Sequence, residues 1–128
     1  MSDNFQQAAS RHWRDANVLY HEGAYENADQ LLGLAAECAI KYALGMSGRI
    51  HKNVHVDELW DKVTPNYVSR QFATLAVILQ QFRPNPWSNW SIEQRYFADG
   101  YVTQPDVERH KNITKRVCGA VNILGVRS

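Results

Sequence analysis

Four side chains in this sequence are candidates to move a proton or grip a phosphate in a reaction: Arg95, Tyr101, His55 and His110. A histidine exchanges its proton near neutral pH, so it can serve as general acid or base. An arginine holds phosphate through its planar fork and stabilises developing negative charge. A tyrosine, with an ordinary pKa near 10, does either weakly. Arg95 and Tyr101 share the stretch "IEQRYFADGY", residues 92–101. A second arginine–histidine pairing occurs in "RIHKNVH", where Arg49 and His55 stand with five residues between them.

Other groupings carry alternative chemistry. His51 and His55 lie four apart and, with Asp57 or Glu58, could approach a zinc ligand set. Gly48 and Asn53 argue for a loop there, so solvated histidines are the expected reading and no metal is expected. Glu37 and Lys41 are one helical turn apart in the most apolar segment, the spacing of an ion pair at the rim of a core. From Arg109 onward Arg109, Lys111, Lys115, Arg116 and Arg127 occur without an acid. Such a run can contact phosphates, or it can match the C-terminal end of a helix dipole on a solvated face. Trp87, Trp90, Tyr96 and Phe97 crowd one short segment. They could stack on bases, but covering one end of a bundle or sealing an interface is the expected role. No Gly-rich phosphate loop and no nucleophile elbow are present, so no cofactor is expected.

The elements that must position these residues read as helical throughout. Apolar residues recur at three- and four-residue spacing over 5–22 (Ala8, Ala9, Trp13, Ala16, Leu19, Tyr20), and Gly23 is placed to end that helix. Residues 25–45 form an Ala-rich helix with Ala28, Leu31, Leu32, Ala35, Cys38, Ala39, Tyr42 and Ala43 on a wide apolar face. Its small side chains, Gly33 included, predict a central helix that neighbours approach closely. A short helix is expected near Asp57–Val63. Thr64 and Pro65 then read as the cap and first residue of a helix over 65–82, with Val68, Phe72, Leu75, Ala76, Ile78 and Leu79 inward. Pro84 and Pro86 break it. A last helix is expected over 104–124, opened by Thr103, Pro105 and Asp106, with Val107, Ile113, Val117, Ala120, Val121 and Leu124 as its stripe. The pattern predicts an all-α, four- to five-helix up-down bundle with short connections, filling residues 1–128 as one domain.

Composition bounds the partners. With 128 residues, a formal net charge of +1 and a pI near 7.8, nothing pulls the whole chain toward nucleic acid. No apolar run approaches membrane-spanning length, and the opening "MSDNFQQAASRHWRD" lacks the apolar core of a secretory leader. Cys38 and Cys118 sit in apolar helical settings and are expected as reduced thiols of a cytoplasmic protein.

Two stretches carry a resemblance. "RDANVLYHEGAYENADQLLGLAAECAIKYALG", Arg14 to Gly45, resembles the first helical hairpin of HEPN domains. "QRYFADGYVTQPDVERHKNITKRVCGAV", Gln94 to Val121, is similar to the opening of that family's last helix, with its Arg–x–x–Ala–Asp–Tyr type element. Together they cover roughly half of the chain. The resemblance implies a helical bundle that dimerises, in prokaryotic toxin–antitoxin or defence systems. Many such domains are metal-independent endoribonucleases whose motif is an arginine, four to six residues and a histidine, paired across a dimer at the last helix. A cognate nucleotidyltransferase-like partner is a further implication.

At that motif this chain departs from the family. Arg95 matches the arginine, but Gly100, Tyr101 and Val102 stand where a histidine would fall. The expectation is therefore a homodimeric, HEPN-like module that binds RNA, a nucleotide or a protein partner without cleaving, with Arg95, Arg109, Lys111 and Arg116 as nucleic-acid contacts. The alternatives are a metal-independent ribonuclease, using Arg95 or Arg49 with a displaced His55 or His110, and a pure interaction protein such as an immunity or scaffold protein.

Overall fold

A computed structural model describes residues 3–45, 51–63 and 68–126. These form five α-helices: α1 (Phe5–His21), α2 (Tyr25–Leu44), α3 (Val56–Lys62), α4 (Ala73–Gln81) and α5 (Gln104–Ala120), with 3₁₀ turns at Arg70–Phe72 and Ile92–Tyr96. No strand occurs among the described residues, and no helix among them is long and apolar enough to cross a membrane.

Local chemistry sets the boundaries. The Asn4 side chain accepts the Gln7 amide at 3.0 Å and opens α1. Gly23, at φ +79°, closes it. The Gly23 and Ala24 amides then reach back to the carbonyls of Tyr20 and Leu19 at 3.0 and 2.9 Å, a Schellman closure. Thr103 caps α5 by accepting the Asp106 amide, with Pro105 in the first turn.

Helix α2 is the centre of the bundle, as its composition predicts. It packs against α1, α3, α5 and the Ile92–Tyr96 turn. Ala28, Ala35, Ala36, Ala39 and Ile40 are fully buried along it. The close approach permitted at Gly33 is made by a side chain from the long loop: a Cβ there would fall inside the indole of Trp90. Helix α5 lies against α2, where the Thr114 hydroxyl donates to the Leu32 carbonyl at 3.1 Å. Cys38 and Cys118 are both buried free thiols.

Three expectations are corrected. The helix over 65–82 is shorter: α4 begins at Ala73, and Ser69 is extended (ψ 143°) because its amide turns toward the carbonyl of Ala43 on α2, at 3.4 Å, instead of joining a helical ladder. Thr64 and Pro65, like Gly48, lie outside the described residues. The connection from α4 to α5 is long. It runs from Phe82 to Thr103 and is tied to α3 by Trp60 Nε1 on the Phe82 carbonyl (3.1 Å), by the Arg83 fork on Asp61 and the Trp60 carbonyl, and by Asn85 on the Asp57 carbonyl. Trp87 and Trp90 of that connection are buried, the covering role expected of them.

The third correction concerns the C-terminal stripe. Helix α5 ends at Ala120, and Asn122 takes a left-handed conformation (φ 60°) that lets the Ile123 amide cap the Cys118 carbonyl at 3.0 Å. This turn sends Ile123 into the core (2% exposed) and leaves Leu124 outside it (79% exposed).

Candidate functional site

Arg95 stands in the 3₁₀ turn Ile92–Tyr96, which is opened by a capping box. The Ser91 hydroxyl accepts the Glu93 amide at 3.1 Å, and the Gln94 side chain accepts the Ser91 amide at 3.2 Å. Gln94 is buried and also donates to Asp29 Oδ2 at 2.8 Å, so the turn is fixed to α2 from below. Its neighbour Arg95 is exposed, with the guanidinium 4.9 Å from the centre of the Tyr96 ring. Phe97 and Tyr101 meet edge to face at 4.7 Å. Tyr96, Phe97 and Tyr101 are 75%, 42% and 54% exposed, the densest cluster of large exposed apolar residues among those described.

The turn and the α1–α2 corner enclose a shallow cavity of about 380 Å³, lined by Gly23, Glu26, Arg95, Phe97 and Asp99 among others. No histidine lines it. Gly100 stands at φ +91°, and its amide donates to Glu26 Oε2 at 3.3 Å. The whole run from Arg95 to Tyr101 precedes α5, which starts at Gln104. The glycine at the position of the missing histidine is therefore a turn residue in the left-handed region, a conformation that glycine adopts without steric cost.

His110 is sealed inside the bundle. It is 0% exposed, its Nδ1 lies 2.6 Å from Asp29 Oδ1, and its Nε2 lies 3.0 Å from both the Pro86 carbonyl and Asn89 Oδ1. Both ring nitrogens are thus engaged, Nδ1 with the Asp29 carboxyl group on one side and Nε2 with the loop on the other. Trp87 stacks on the ring at 4.4 Å, and the Trp90 indole donates to the Asp29 carbonyl at 2.9 Å.

His55 belongs to a different cluster. Its Nδ1 is 3.1 Å from Glu37 Oε1, which also accepts the Val56 amide at 3.0 Å. The other Glu37 oxygen takes the Lys41 ammonium at 3.0 Å, and Lys41 reaches the Lys52 carbonyl as well. The expected Glu37–Lys41 pair is thus present, and it is fully buried. Glu37 is eleven positions along α2 from Glu26, roughly 16 Å at 1.5 Å per residue, so His55 and Arg95 lie beside well-separated turns of that helix. Arg49 falls outside the described residues. No group of three or more His, Cys, Asp or Glu among the described residues is placed to hold a metal ion.

The basic residues do not converge. Arg109 pairs with Asp106 at 2.6 Å, Lys111 sits 4.4 Å over the Tyr20 ring on the α1 side, and Arg116 sits 5.5 Å over the Phe82 ring on the α4 side. Arg95 is on the loop. Burial pushes both thiols up to about 12, so Cys38 and Cys118 stay protonated and inert as nucleophiles.

Sequence reasoning missed Asp29, Gln94 and Asn89 as partners of His110. A sign was present: His110 falls three after Val107 and three before Ile113, on the apolar stripe of its own helix. A histidine there must be buried, and a buried imidazole needs polar partners. The chain matches no family model, no curated protein and no solved structure.

Proposed function

We propose that this chain is a non-catalytic, HEPN-like binding module that acts through the exposed face Arg95–Tyr101. The observation that carries the reading is the company of Arg95. It lies among exposed aromatic rings with no histidine lining its cavity, while His110 is buried and engaged at both nitrogens. Glu26 and Asp99 line the cavity itself, so an anion can meet the Arg95 fork only on its solvent side, and no group stands ready to take the proton of a 2′-hydroxyl. Exposed tyrosine, phenylalanine and arginine are the residue types of protein contact surfaces. The resemblance makes a second copy the first partner and a prokaryotic toxin–antitoxin or defence system the setting.

The test has two arms. Light scattering at tens of micromolar should give a dimer, and Tyr96→Ser with Tyr101→Ser should return it to monomer. Purified protein without metal should leave RNA intact. A wild-type monomer removes the interface, and metal-free cleavage lost in His55→Ala replaces this reading with the ribonuclease.

RNA or nucleotide as ligand is the second reading. It is favoured by Arg95, which has no acid within ion-pair distance among the described residues and stacks on Tyr96, an arrangement that accepts a base and a phosphate together. Weak, salt-sensitive binding of short RNA that falls in Arg95→Ala supports it. Equal binding by wild type and variant counts against it.

A further inference from the structure

A second recess lies away from the Arg95 face. It has a volume of about 450 Å³, within the range of small-molecule sites, and is lined by α1 on one side and the turn after α5 on the other. Gln7, Ser10, Arg11 and Arg14 supply the α1 wall. Their spacing of three, four and seven places them on one stripe of the helix. The far wall is Asn122 and Leu124, and the Ser10 hydroxyl donates to the Leu124 carbonyl at 2.8 Å, pinning the two walls together.

The chemistry of this recess is one-sided. No acid lines it. Arg11 makes no ion pair among the described residues, and Arg14 has only an exposed contact, Nε to Asp15 at 3.5 Å. Such a surface pair is weak and leaves the terminal nitrogens of the fork available. The α5 carbonyls of Cys118 and Gly119 accept the capping amides of Ile123 and Asn122. Leu124, 79% exposed, adds an apolar surface that the core does not use.

We infer that this recess binds a phosphate monoester with a small apolar body. Two guanidinium forks balance the two charges of a phosphate monoester and match its oxygens bidentately, whereas a carboxylate would leave one fork unanswered. The apolar body lies on Leu124. The site is independent of the Arg95 face, and Arg95→Ala leaves it unchanged.

The probes are phenyl phosphate, inorganic phosphate and benzoate, titrated against the full chain by amide NMR and calorimetry. Phenyl phosphate should shift the amides of Ser10, Arg11, Arg14 and Leu124, and bind at least about tenfold more tightly than either other probe, since one lost contact of 1.4 kcal/mol is a factor of ten. Arg11→Ala with Arg14→Ala should abolish binding. Leu124→Ser should bring phenyl phosphate down to the level of inorganic phosphate. All three side chains are exposed or at a surface, so the fold survives their replacement, and the amide spectrum of each variant verifies this. Phenyl phosphate binding no tighter than inorganic phosphate, or binding that persists without both arginines, overturns the assignment.

Discussion

His110 on α5 and Asp29 on α2 meet at 2.6 Å across 81 positions of sequence, both essentially excluded from solvent. The pair holds three parts of the molecule at once. Asp29 also receives Gln94 from the turn that carries Arg95, and His110 donates to Pro86 and Asn89 of the long connection. The turn that carries Arg95 is therefore anchored through a buried hydrogen-bonded node.

Breaking that node should be costly. Asp29→Ala leaves a buried ring nitrogen of His110 without its partner and should destabilise the fold by about 1–3 kcal/mol. His110→Ala should do the same by leaving Asp29 Oδ1 without its own. The double variant should cost less than the sum of the two, with a coupling of roughly 0.5–3 kcal/mol in a denaturant cycle. Strict additivity would show that the two groups do not interact.

Gly33→Ala tests the seat of Trp90. The added Cβ would occupy the indole, so the ring must move and its hydrogen bond to the Asp29 carbonyl must stretch. Overpacking of this kind costs on the order of 1–3 kcal/mol. Indole fluorescence should change together with the urea midpoint. If both stay at wild-type values, Trp90 is not against α2.

Gly100→His restores the residue type that the resemblance asks for. It should not restore cleavage. The backbone there is at φ +91°, which strains any side chain, and the position lies before α5 rather than on it. A loss of about 1–2 kcal/mol is expected from the left-handed conformation alone. Metal-free RNA cleavage by this variant would show that the turn can rebuild itself into a working site.

His12 sets a pH dependence. Burial, followed by the charge of Arg11, lowers its pKa below the ordinary 6.5, against a smaller pull upward from Asp15 and Glu37. The unfolded chain therefore binds this proton first. Stability should fall as pH drops below about 6.5 and level off once the folded form is protonated too. His12→Gln should remove that part of the acid loss. Parallel stability curves for the two proteins between pH 7 and 5 would contradict it.

What the sequence determined is the set of helices and most of their inner faces. Three- and four-residue spacing identifies Ala9, Ala16, Leu32, Leu75 and Val117 as core because periodicity is a local property of the backbone. Gly23 and Thr103 marked helix ends for the same reason, since each cap is made with neighbours a few residues away. The missing histidine beside Arg95 was equally legible.

The tertiary structure decided what depends on partners distant in sequence. Ser69 leaves its helix for the Ala43 carbonyl, and Leu124 is displaced from the core by Ile123 once Asn122 turns the chain. His110 became a core residue because Asp29, Pro86 and Asn89 converge on its two nitrogens. Arg109, Lys111, Arg116 and Arg95 each found a different neighbour, in Asp106, Tyr20, Phe82 and Tyr96. Side-chain polarity is written in the sequence, but the direction in which a charge is satisfied is set only when the helices meet.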